Sequence, residues 1–208
     1  MRVKIAVLVS GGGTNMQAVI DEINSGNING DIEIVISSSP DAFALKRAES
    51  HGIEGIYIGK DNYPDVEERT EAIIKILEDH EISLVILAGY MSILDKKMVK
   101  RFQNQIINIH PSLIPSFCGK GYYGKKVHQA VLDYGAKLTG ATVHFVDEGT
   151  DTGPVILQKS VEVKQNETVE TLAKKVLDIE HQLLPKAVKL YCENKLVLDG
   201  RTVKIKEV

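Results

Sequence analysis

The chain has 208 residues, of which 43% are hydrophobic, so it can bury one substantial core and is most simply one domain. Its formal net charge of -3 disfavours a protein that coats nucleic acid, because such domains usually carry a strongly basic face. No segment approaches the length of about eighteen apolar residues that a membrane-spanning helix needs, and the first residues lead into a strand rather than a signal peptide. We therefore expect a cytoplasmic protein without nucleic-acid or membrane partners.

In the first half of the chain, apolar runs of strand length alternate with longer segments of helical period, which is typical of an α/β fold. Runs rich in β-branched residues predict buried parallel strands at 3–9, 32–36, 84–88 and 106–109. The intervening segments predict helices at 14–25, 42–51 and 64–81, with Pro64 in the first turn of the last one. We expect a parallel sheet with crossover helices.

After residue 110 the pattern changes. Segments 139–146 and 154–163 predict two strands joined by a turn-rich acidic loop, which indicates an antiparallel addition to the sheet. A final helix is predicted over 168–193, and residues 196–205 fit a small terminal hairpin. One stripe of that helix should pack on the sheet through Leu172, Val176, Ile179, Leu183, Ala187 and Leu190.

The turn after the first strand is rich in glycine, since residues 11–13 are all glycine and are followed by Thr14 and Asn15. Glycine turns at the start of a helix direct backbone N–H groups at an anion, so phosphate is the natural ligand. Met16 stands at the third glycine position of the dinucleotide fingerprint, and the turn also lacks the Gly-Lys-Ser/Thr of a Walker loop. An ordinary turn capped by Thr14 or Asn15 is the alternative.

Asn108 and His110 stand two residues apart at the end of the fourth predicted strand, which stops at Pro111. Residues two apart point to the same side of a strand, so the amide and the imidazole can converge on one small group. Asp151, in the acidic loop, would add a carboxylate. These groups suffice to stabilise an oxyanion and to move a proton, which indicates acyl transfer. For Asn108 or His110 alone, a hydrogen-bonded structural role is the alternative.

Two blocks of residues resemble the formyltetrahydrofolate-dependent formyltransferases. The first block runs from Asn108 to Pro115, and the second comprises Gly140, His144, Phe145, Val146, Asp151, Gly153 and Pro154. The glycine turn and residues 88–91 also match, so the resemblance extends from Val3 to about Leu190. It implies one formyltransferase domain over 1–208 with a Rossmann-like, mostly parallel sheet. About 1–110 would be a phosphate-binding half, and about 111–193 a folate-side and catalytic-loop half.

The resemblance implies that 10-formyltetrahydrofolate is the co-substrate and that its formyl group passes to the amine of glycinamide ribonucleotide, in purine biosynthesis, without a metal. Asn108 and a protonated His110 would stabilise the oxyanion of a tetrahedral intermediate, and Asp151 would relay the proton. A carboxylate beside an imidazole favours the imidazolium, so we expect the pKa of His110 to lie above that of a free imidazole. The partners would be these small molecules, and the chain a monomer or homodimer.

The resemblance also assigns binding residues. The substrate-binding set is Gly11, Gly12, Gly13, Thr14, Asn15 and Glu180, and the folate-binding set is Met91, Ser92, Ile93, Leu94 and Asp147. A solvated charge is the alternative reading for Glu180 and Asp147. The chain departs from the family at Ser92, where an Arg is frequent, and at residues 116–125, which form a longer loop than in many relatives.

The remaining candidates for chemistry are expected to be structural or solvated. His51, His80 and His128 are predicted at helix ends or on helix surfaces, and Lys120, Lys125 and Lys126 as loop charge. For His144 we expect a structural role, with a contact that braces the Asp151 loop as the alternative. Cys118 and Cys192 are far apart in sequence and predict reduced thiols, with neither a disulfide framework nor a zinc site.

Three other functions compete with glycinamide ribonucleotide formylation. A methionyl-tRNA formyltransferase would share the catalytic strand but usually carries a further C-terminal domain and a basic surface. A formyltetrahydrofolate hydrolase would share the same Asn, His and Asp, but it usually has an N-terminal regulatory domain, for which we expect no room before Val3. A non-catalytic nucleotide-binding module would need only the glycine turn, and Asn108, His110 and Asp151 disfavour it.

Overall fold

A computed structural model describes residues 1–206 and shows an α/β chain with two compact units, which divide between Asn108 and Ile109. Up to that division the elements are β1 (Val3–Val9), α1 (Thr14–Asn24), β2 (Gly30–Ser37), α2 (Phe43–Ser50), β3 (Glu54–Tyr57), α3 (Val66–Asp79), β4 (Leu84–Leu87), α4 (Lys96–Arg101) and β5 (Ile106–His110), which crosses it. Then follow α5 (Lys125–Tyr134), β6 (Leu138–Phe145), β7 (Val155–Glu162), α6 (Val169–Cys192), β8 (Leu196–Asp199) and β9 (Thr202–Ile205).

The first five strands are parallel. β1 pairs with β2 and β4, β2 with β3, and β4 with β5, and the order along the seven-stranded sheet is β3-β2-β1-β4-β5-β6-β7. β4 is buried throughout and β1 from Ile5 onward, as parallel strands are when helices cover both faces. The strand order reverses between β1 and β4. Such a switch point leaves a crevice at the carboxyl ends of the strands, where α/β proteins bind ligands.

The predicted parallel strands and crossover helices are confirmed, with ends that agree within two residues. The prediction for Pro64 is wrong, because α3 begins at Val66 and Asp65 is its N-cap. The Asp65 carboxylate accepts hydrogen bonds from the backbone N–H groups of Glu67 and Glu68. Pro64 therefore precedes the cap instead of opening the helix.

Beyond β5, the predicted antiparallel pair is confirmed, since Thr142 of β6 lies opposite Gln158 of β7. The long helix is confirmed as α6, and Thr168 caps it in a capping box with Thr171. Its predicted stripe is buried except at Leu190, which is only half-buried. The terminal hairpin is confirmed as β8 and β9. None of the helices within residues 1–206 is long and apolar enough to cross a bilayer.

The bounds of helix α5 were not predicted, although His128 was expected at a helix end or on a helix surface, and two expectations are corrected by this helix. Lys125 and Lys126 form its first turn and are not part of a loop. His128 was expected on a helix surface, but it lies on the buried face of α5 with Val127 and Val131. Only these three positions of the helix are buried, so its apolar periodicity is weak in the sequence.

Candidate active site

The glycine turn between β1 and α1 is braced from outside by helix α2. The backbone N–H of Ala44 donates to the carbonyl of Gly11 at 3.0 Å, and Nε of Arg47 donates to the carbonyl of Gly12 at 2.8 Å. In a planar trans peptide the carbonyl and the following N–H point in opposite directions. The N–H groups of Gly12 and Gly13 therefore point away from α2, so they are oriented to receive an anion.

Helix α1 adds to this arrangement. Its N-cap is Gly13, in the left-handed region at φ 72°, and no side chain caps the helix there. The first N–H groups of a helix have no intrahelical acceptor, and the helix dipole favours negative charge at that end. The turn and the start of α1 therefore both favour a negatively charged ligand here. Thr14 is half-buried and Asn15 is buried within the first turn.

Gly12→Asp is expected to weaken the binding of a phosphate-bearing ligand while leaving the fold intact. A Cβ at Gly12 would meet nothing within 4 Å, so the side chain fits, but its carboxylate would repel a phosphate bound at the turn. Calorimetry with glycinamide ribonucleotide, the substrate that the resemblance implies, should show binding weakened by about a hundredfold or more, a loss of roughly 3 kcal/mol.

Gly12→Ser is the matched control, since it adds a similar side chain without charge and should retain most of the binding. Gly13→Asp is not an equivalent probe. A Cβ at Gly13 would lie 2.6 Å from that of Ala44, and the backbone there is left-handed, so the variant is strained with or without ligand. Equal binding by Gly12→Asp and wild type would remove the turn from the site.

The segment after β4 lies at the same switch point. The backbone N–H of Met91 donates to Oγ of Ser10 at 2.8 Å, which joins this segment to the end of β1. Met91 and Ile93 expose apolar side chains, whereas Ser92 and Leu94 are half-buried. An exposed apolar surface beside backbone polar groups suits a flat aromatic ring.

Ser92, where the resemblance led us to expect an Arg, follows Tyr90 by two residues. Burial raises the pKa of Tyr90, against the opposing effects of the Ser92 side chain and of the Arg69 charge. Arg69 is buried, and its Nη1 donates to the carbonyl of Tyr63 at 2.9 Å. The Arg69 guanidinium on α3 therefore acts on Tyr90, which directly precedes this segment.

Asn108 and His110 alternate with Ile109 at the carboxyl end of β5, as predicted. Asn108 lies opposite Leu87 in the register with β4, so it sits where the parallel strands end. It is half-buried, whereas His110 is only 4% exposed. Both polar side chains are therefore held at the edge of an apolar core, where hydrogen bonds and charges act in a low dielectric.

The structure brings His110 and Asp151 together as predicted. Nδ1 of His110 lies 3.5 Å from Oδ2 of Asp151, and Nε2 of His144 lies 3.7 Å from Oδ1 of the same carboxylate. All three side chains are largely buried. His144 also donates from Nδ1 to the carbonyl of Phe145 at 2.7 Å. Of the two expectations for His144, the contact with the Asp151 loop is confirmed.

Residues 117–119 contact both members of the pair. Nε2 of His110 donates to the carbonyl of Phe117 at 3.0 Å, and the N–H of Gly119 donates to Oδ2 of Asp151 at 2.9 Å. The imidazole thus faces an acceptor on each nitrogen, and only its doubly protonated form donates to both. A substrate that is to receive a hydrogen bond from Nε2 must displace the Phe117 carbonyl.

The expectation of a raised pKa for His110 is wrong. Burial lowers the pKa of His110 below its ordinary value of 6.5 and outweighs the opposite effects of Asp151 and of the Phe117 carbonyl. For Asp151, burial raises the pKa, but the hydrogen bond from His144, the nearby histidine charges and the Gly119 N–H together hold it below the usual range. The carboxylate is thus ionised at neutral pH, beside an imidazole that protonates reluctantly.

The backbone around Asp151 is constrained. Asp151 has φ 57°, in the left-handed region that few residues other than glycine adopt, although Asp and Asn tolerate it best. A Cβ at Gly153 would lie 1.8 Å from the carbonyl oxygen of Phe145, so the chain passes too close to β6 for any side chain there. The Asp151 carboxylate is therefore directed by backbone geometry as well as by its partners.

His128 makes the protein sensitive to acid. It is buried on α5, its Nδ1 has no hydrogen-bond partner, and burial lowers its pKa, as does the charge of His110. When a base has a lower pKa in the folded state, the unfolded chain binds more protons, so stability is complete above pH 6.5 and is lost as pH falls below it. Because burial also lowers the pKa of His110, the free energy of unfolding should fall measurably between about pH 7.5 and pH 5.

Urea unfolding at several pH values tests this expectation. His128→Leu removes one of the two groups and should make the decline shallower, without loss of stability at about pH 7.5, because it also removes an unpaired buried nitrogen. Parallel curves for the variant and the wild type would show that His128 is charged in the folded protein.

The other predicted site residues lie as follows. Glu180 is 8% exposed on α6, so the alternative of a solvated helix face is wrong. Oδ1 of Asp147 accepts hydrogen bonds from the Gly149 N–H at 3.1 Å and from Oγ1 of Thr152 at 2.5 Å, inside the Asp151 loop. Among residues 1–206, no three His, Cys, Asp or Glu side chains are grouped so as to hold a metal ion.

The chain thus has a parallel sheet with a glycine turn at its switch point, and a buried histidine–carboxylate pair whose histidine ends β5, and such a pair suits acyl transfer. Residues 3–188 match the model of the formyl transferase family, which spans most of the chain. The chain belongs to that family.

Particular relatives carry a more specific name. The chain is 38% identical to "Phosphoribosylglycinamide formyltransferase" of Haemophilus influenzae, over 94% of this chain and 90% of that protein. It is 39% identical to the chloroplastic protein of that name from Vigna unguiculata, over 94% of this chain but only 63% of the relative's length. The crystal structure of glycinamide ribonucleotide transformylase 1 from Symbiobacterium toebii superposes with a TM-score of 0.94 at 40% identity, covering 99% of this chain and 95% of that one.

Arg47, whose guanidinium braces the glycine turn, was not predicted from the sequence. It also donates to Oε1 of Gln17 at 3.3 Å and lies 5.1 Å from the centre of the Phe43 ring. A basic residue in the middle of an amphipathic helix gives no signal by itself. Its role depends on how α2 lies against the turn, which only the fold reveals.

Proposed function

We propose that the chain transfers the formyl group of 10-formyltetrahydrofolate to the amine of glycinamide ribonucleotide, in purine biosynthesis. The observation that carries this proposal is the buried contact between His110, at the end of β5, and Asp151, in the loop between β6 and β7, in a chain of the formyl transferase family. The relatives from Haemophilus influenzae and Vigna unguiculata are named phosphoribosylglycinamide formyltransferases, which supports this acceptor.

The reaction begins when the lone pair of the substrate amine attacks the formyl carbon. The electrons of the C=O bond move to oxygen, and a tetrahedral intermediate with an oxyanion forms. Asn108 donates a hydrogen bond to that oxygen from its amide, and His110 donates from its ring. The intermediate collapses when the bond between the formyl carbon and the folate nitrogen breaks, and that nitrogen gains the proton that the attacking amine loses.

Asp151 serves this sequence in two ways. Its carboxylate, with a pKa below the usual range, is ionised and accepts the proton of the attacking amine, directly or through water. Burial disfavours the imidazolium form of His110, and the negative charge of Asp151 opposes that effect. The carboxylate therefore helps His110 to carry a proton as the oxyanion develops. His144, which lies against the other carboxylate oxygen, orients Asp151.

The binding assignments complete the proposal. The phosphate of the ribonucleotide would lie at Gly11, Gly12 and Gly13 with Thr14 and Asn15, and its ribose hydroxyls at Glu180. Folate would lie at Met91, Ser92, Ile93 and Leu94, with Asp147 as a further contact. The braced turn supports the first assignment, and the exposed apolar side chains after β4 support the second.

The wider setting is also proposed. The chain would act as one formyltransferase domain on small molecules, and a cytoplasmic location is supported by the free thiols of Cys118 and Cys192. Burial raises the pKa of the Cys192 thiol to about 11, so this thiol is inert. A monomer or homodimer stays a prediction.

The test offers the purified protein 10-formyltetrahydrofolate with glycinamide ribonucleotide, with methionyl-tRNA, or with no acceptor. Formation of tetrahydrofolate is followed by absorbance. We expect rapid turnover with the ribonucleotide only. Equal turnover without an acceptor would identify a hydrolase, and turnover with the tRNA alone would identify a tRNA formyltransferase.

A further inference from the structure

The C-terminal hairpin contacts the loop that carries Asp151. β8 and β9 pair as antiparallel strands, and Arg201 lies in the turn between them. Nη2 of Arg201 donates to the backbone carbonyl of Thr152 at 2.8 Å. Thr152 follows Asp151 directly in the chain. The hairpin lies beyond residues 3–188, which match the family model, so the family match assigns it no role.

Thr152 is held from two sides. Inside the loop, its hydroxyl donates to Oδ1 of Asp147 at 2.5 Å, and outside the loop its carbonyl accepts from Arg201. Asp151 itself is in the left-handed backbone region, at φ 57°. For a residue other than glycine this conformation is disfavoured, so it persists only where its neighbours hold it. Arg201 supplies one of these neighbouring contacts.

We propose that Arg201 is a positioning residue for formyl transfer, because its hydrogen bond to Thr152 keeps the Asp151 carboxylate between His110 and His144. The proposal rests on the role of Asp151 given above. Rotation of the backbone next to Asp151 would displace its carboxylate, and displacements of about 1 Å at a reacting group lower rates severely. An exposed hydrogen bond contributes little to global stability, so the effect should appear mainly in turnover.

The pH dependence of kcat/KM distinguishes a displaced Asp151 carboxylate from the mere loss of the Arg201 charge. The groups that act on His110 are Asp151 of the loop, His144 of β6 and His128 of α5, and its ring also donates to the Phe117 carbonyl. Cys118 interacts with the Asp151 charge. Asp151 is the charged group that raises the pKa of His110, so a displaced carboxylate lets that pKa fall further. Loss of the Arg201 charge alone would act in the opposite direction, since removing a cation favours the imidazolium.

The experiment compares Arg201→Ala with Arg201→Lys and Lys204→Ala. Lys204 is the matched control, because it is a cation of the same hairpin that pairs with Asp199 at 2.6 Å inside the hairpin. For Arg201→Ala we expect kcat about fivefold lower, KM for the ribonucleotide changed less than about twofold, and the alkaline limb of kcat/KM at lower pH. Arg201→Lys keeps a donor and should recover part of kcat, and Lys204→Ala should behave as wild type.

Hydrogen exchange gives a readout that does not require activity. The peptide that contains residues 146–154 should exchange faster in Arg201→Ala than in wild type or Lys204→Ala. Unchanged exchange, an equal loss of kcat in Lys204→Ala, or a limb that moves to higher pH would overturn the proposal. If the wild-type protein transfers no formyl group, the proposed function fails, and the exchange data still decide whether Arg201 holds the loop.

Discussion

Asp151→Asn is expected to lower kcat by about a hundredfold or more while ribonucleotide binding stays nearly unchanged. Asn has the same shape and tolerates the left-handed backbone at this position, and its carbonyl oxygen still accepts from the Gly119 N–H. The variant therefore loses the charge and the basicity of the carboxylate but not the loop structure. Initial rates together with calorimetric titration of the ribonucleotide measure the two effects.

Glu148→Gln provides the control for charge, because Glu148 is an exposed carboxylate of the same loop. Its turnover should equal that of wild type. If Asp151→Asn turned over at a near-normal rate, Asp151 would have no part in proton transfer. If Asp151→Asn lost ribonucleotide binding to the same extent as kcat, the substitution would have disrupted the loop, and the loss of rate would not measure proton transfer.

His110→Asn is expected to lower kcat/KM by roughly a hundredfold to a thousandfold and to abolish the alkaline limb of its pH profile. In the wild type, the pKa of His110 lies below 6.5, so the protonated fraction declines as pH rises through a range below that of a free imidazole. An amide still donates a hydrogen bond to the oxyanion but does not titrate. The variant should retain weak activity and bind both ligands.

The pH profile of Asp151→Asn provides the comparison for that of His110→Asn. Because Asp151 raises the pKa of His110, its neutral replacement should move the alkaline limb to still lower pH instead of removing it. Profiles of kcat/KM for both variants distinguish the two residues. Were the limb unchanged in His110→Asn, with activity still measurable, it would belong to another group.

The parallel sheet was predictable because its strands are buried runs of β-branched residues. β3 was not, since Glu54–Tyr57 is a short edge strand without a fully buried side chain. α5 begins after Gly124 with two lysines and buries only three positions, so its sequence has no apolar stripe that would predict a helix. Pattern reasoning fails where an element is defined by its neighbours instead of by its own burial.

For the site, spacing on one strand was sufficient to predict that Asn108 and His110 act together. The pKa of His110 was not predictable, because burial competes with the charge of Asp151 and the sequence gives no measure of burial. The contact of Arg201 with Thr152 joins residues 49 positions apart through an exposed hydrogen bond. Such contacts have no local signal, although their effect on the Asp151 loop is direct.

The most direct test of the account follows the formyl carbon itself. Wild-type protein is given 10-formyltetrahydrofolate with an isotopically labelled formyl group, together with glycinamide ribonucleotide, and the products are separated by mass spectrometry. We expect the label in the new N-formyl group of the ribonucleotide, with one tetrahydrofolate released for each formyl group transferred. Recovery of the label as free formate would contradict the proposed transfer. So would recovery of the label only as unreacted 10-formyltetrahydrofolate, if the protein binds both ligands.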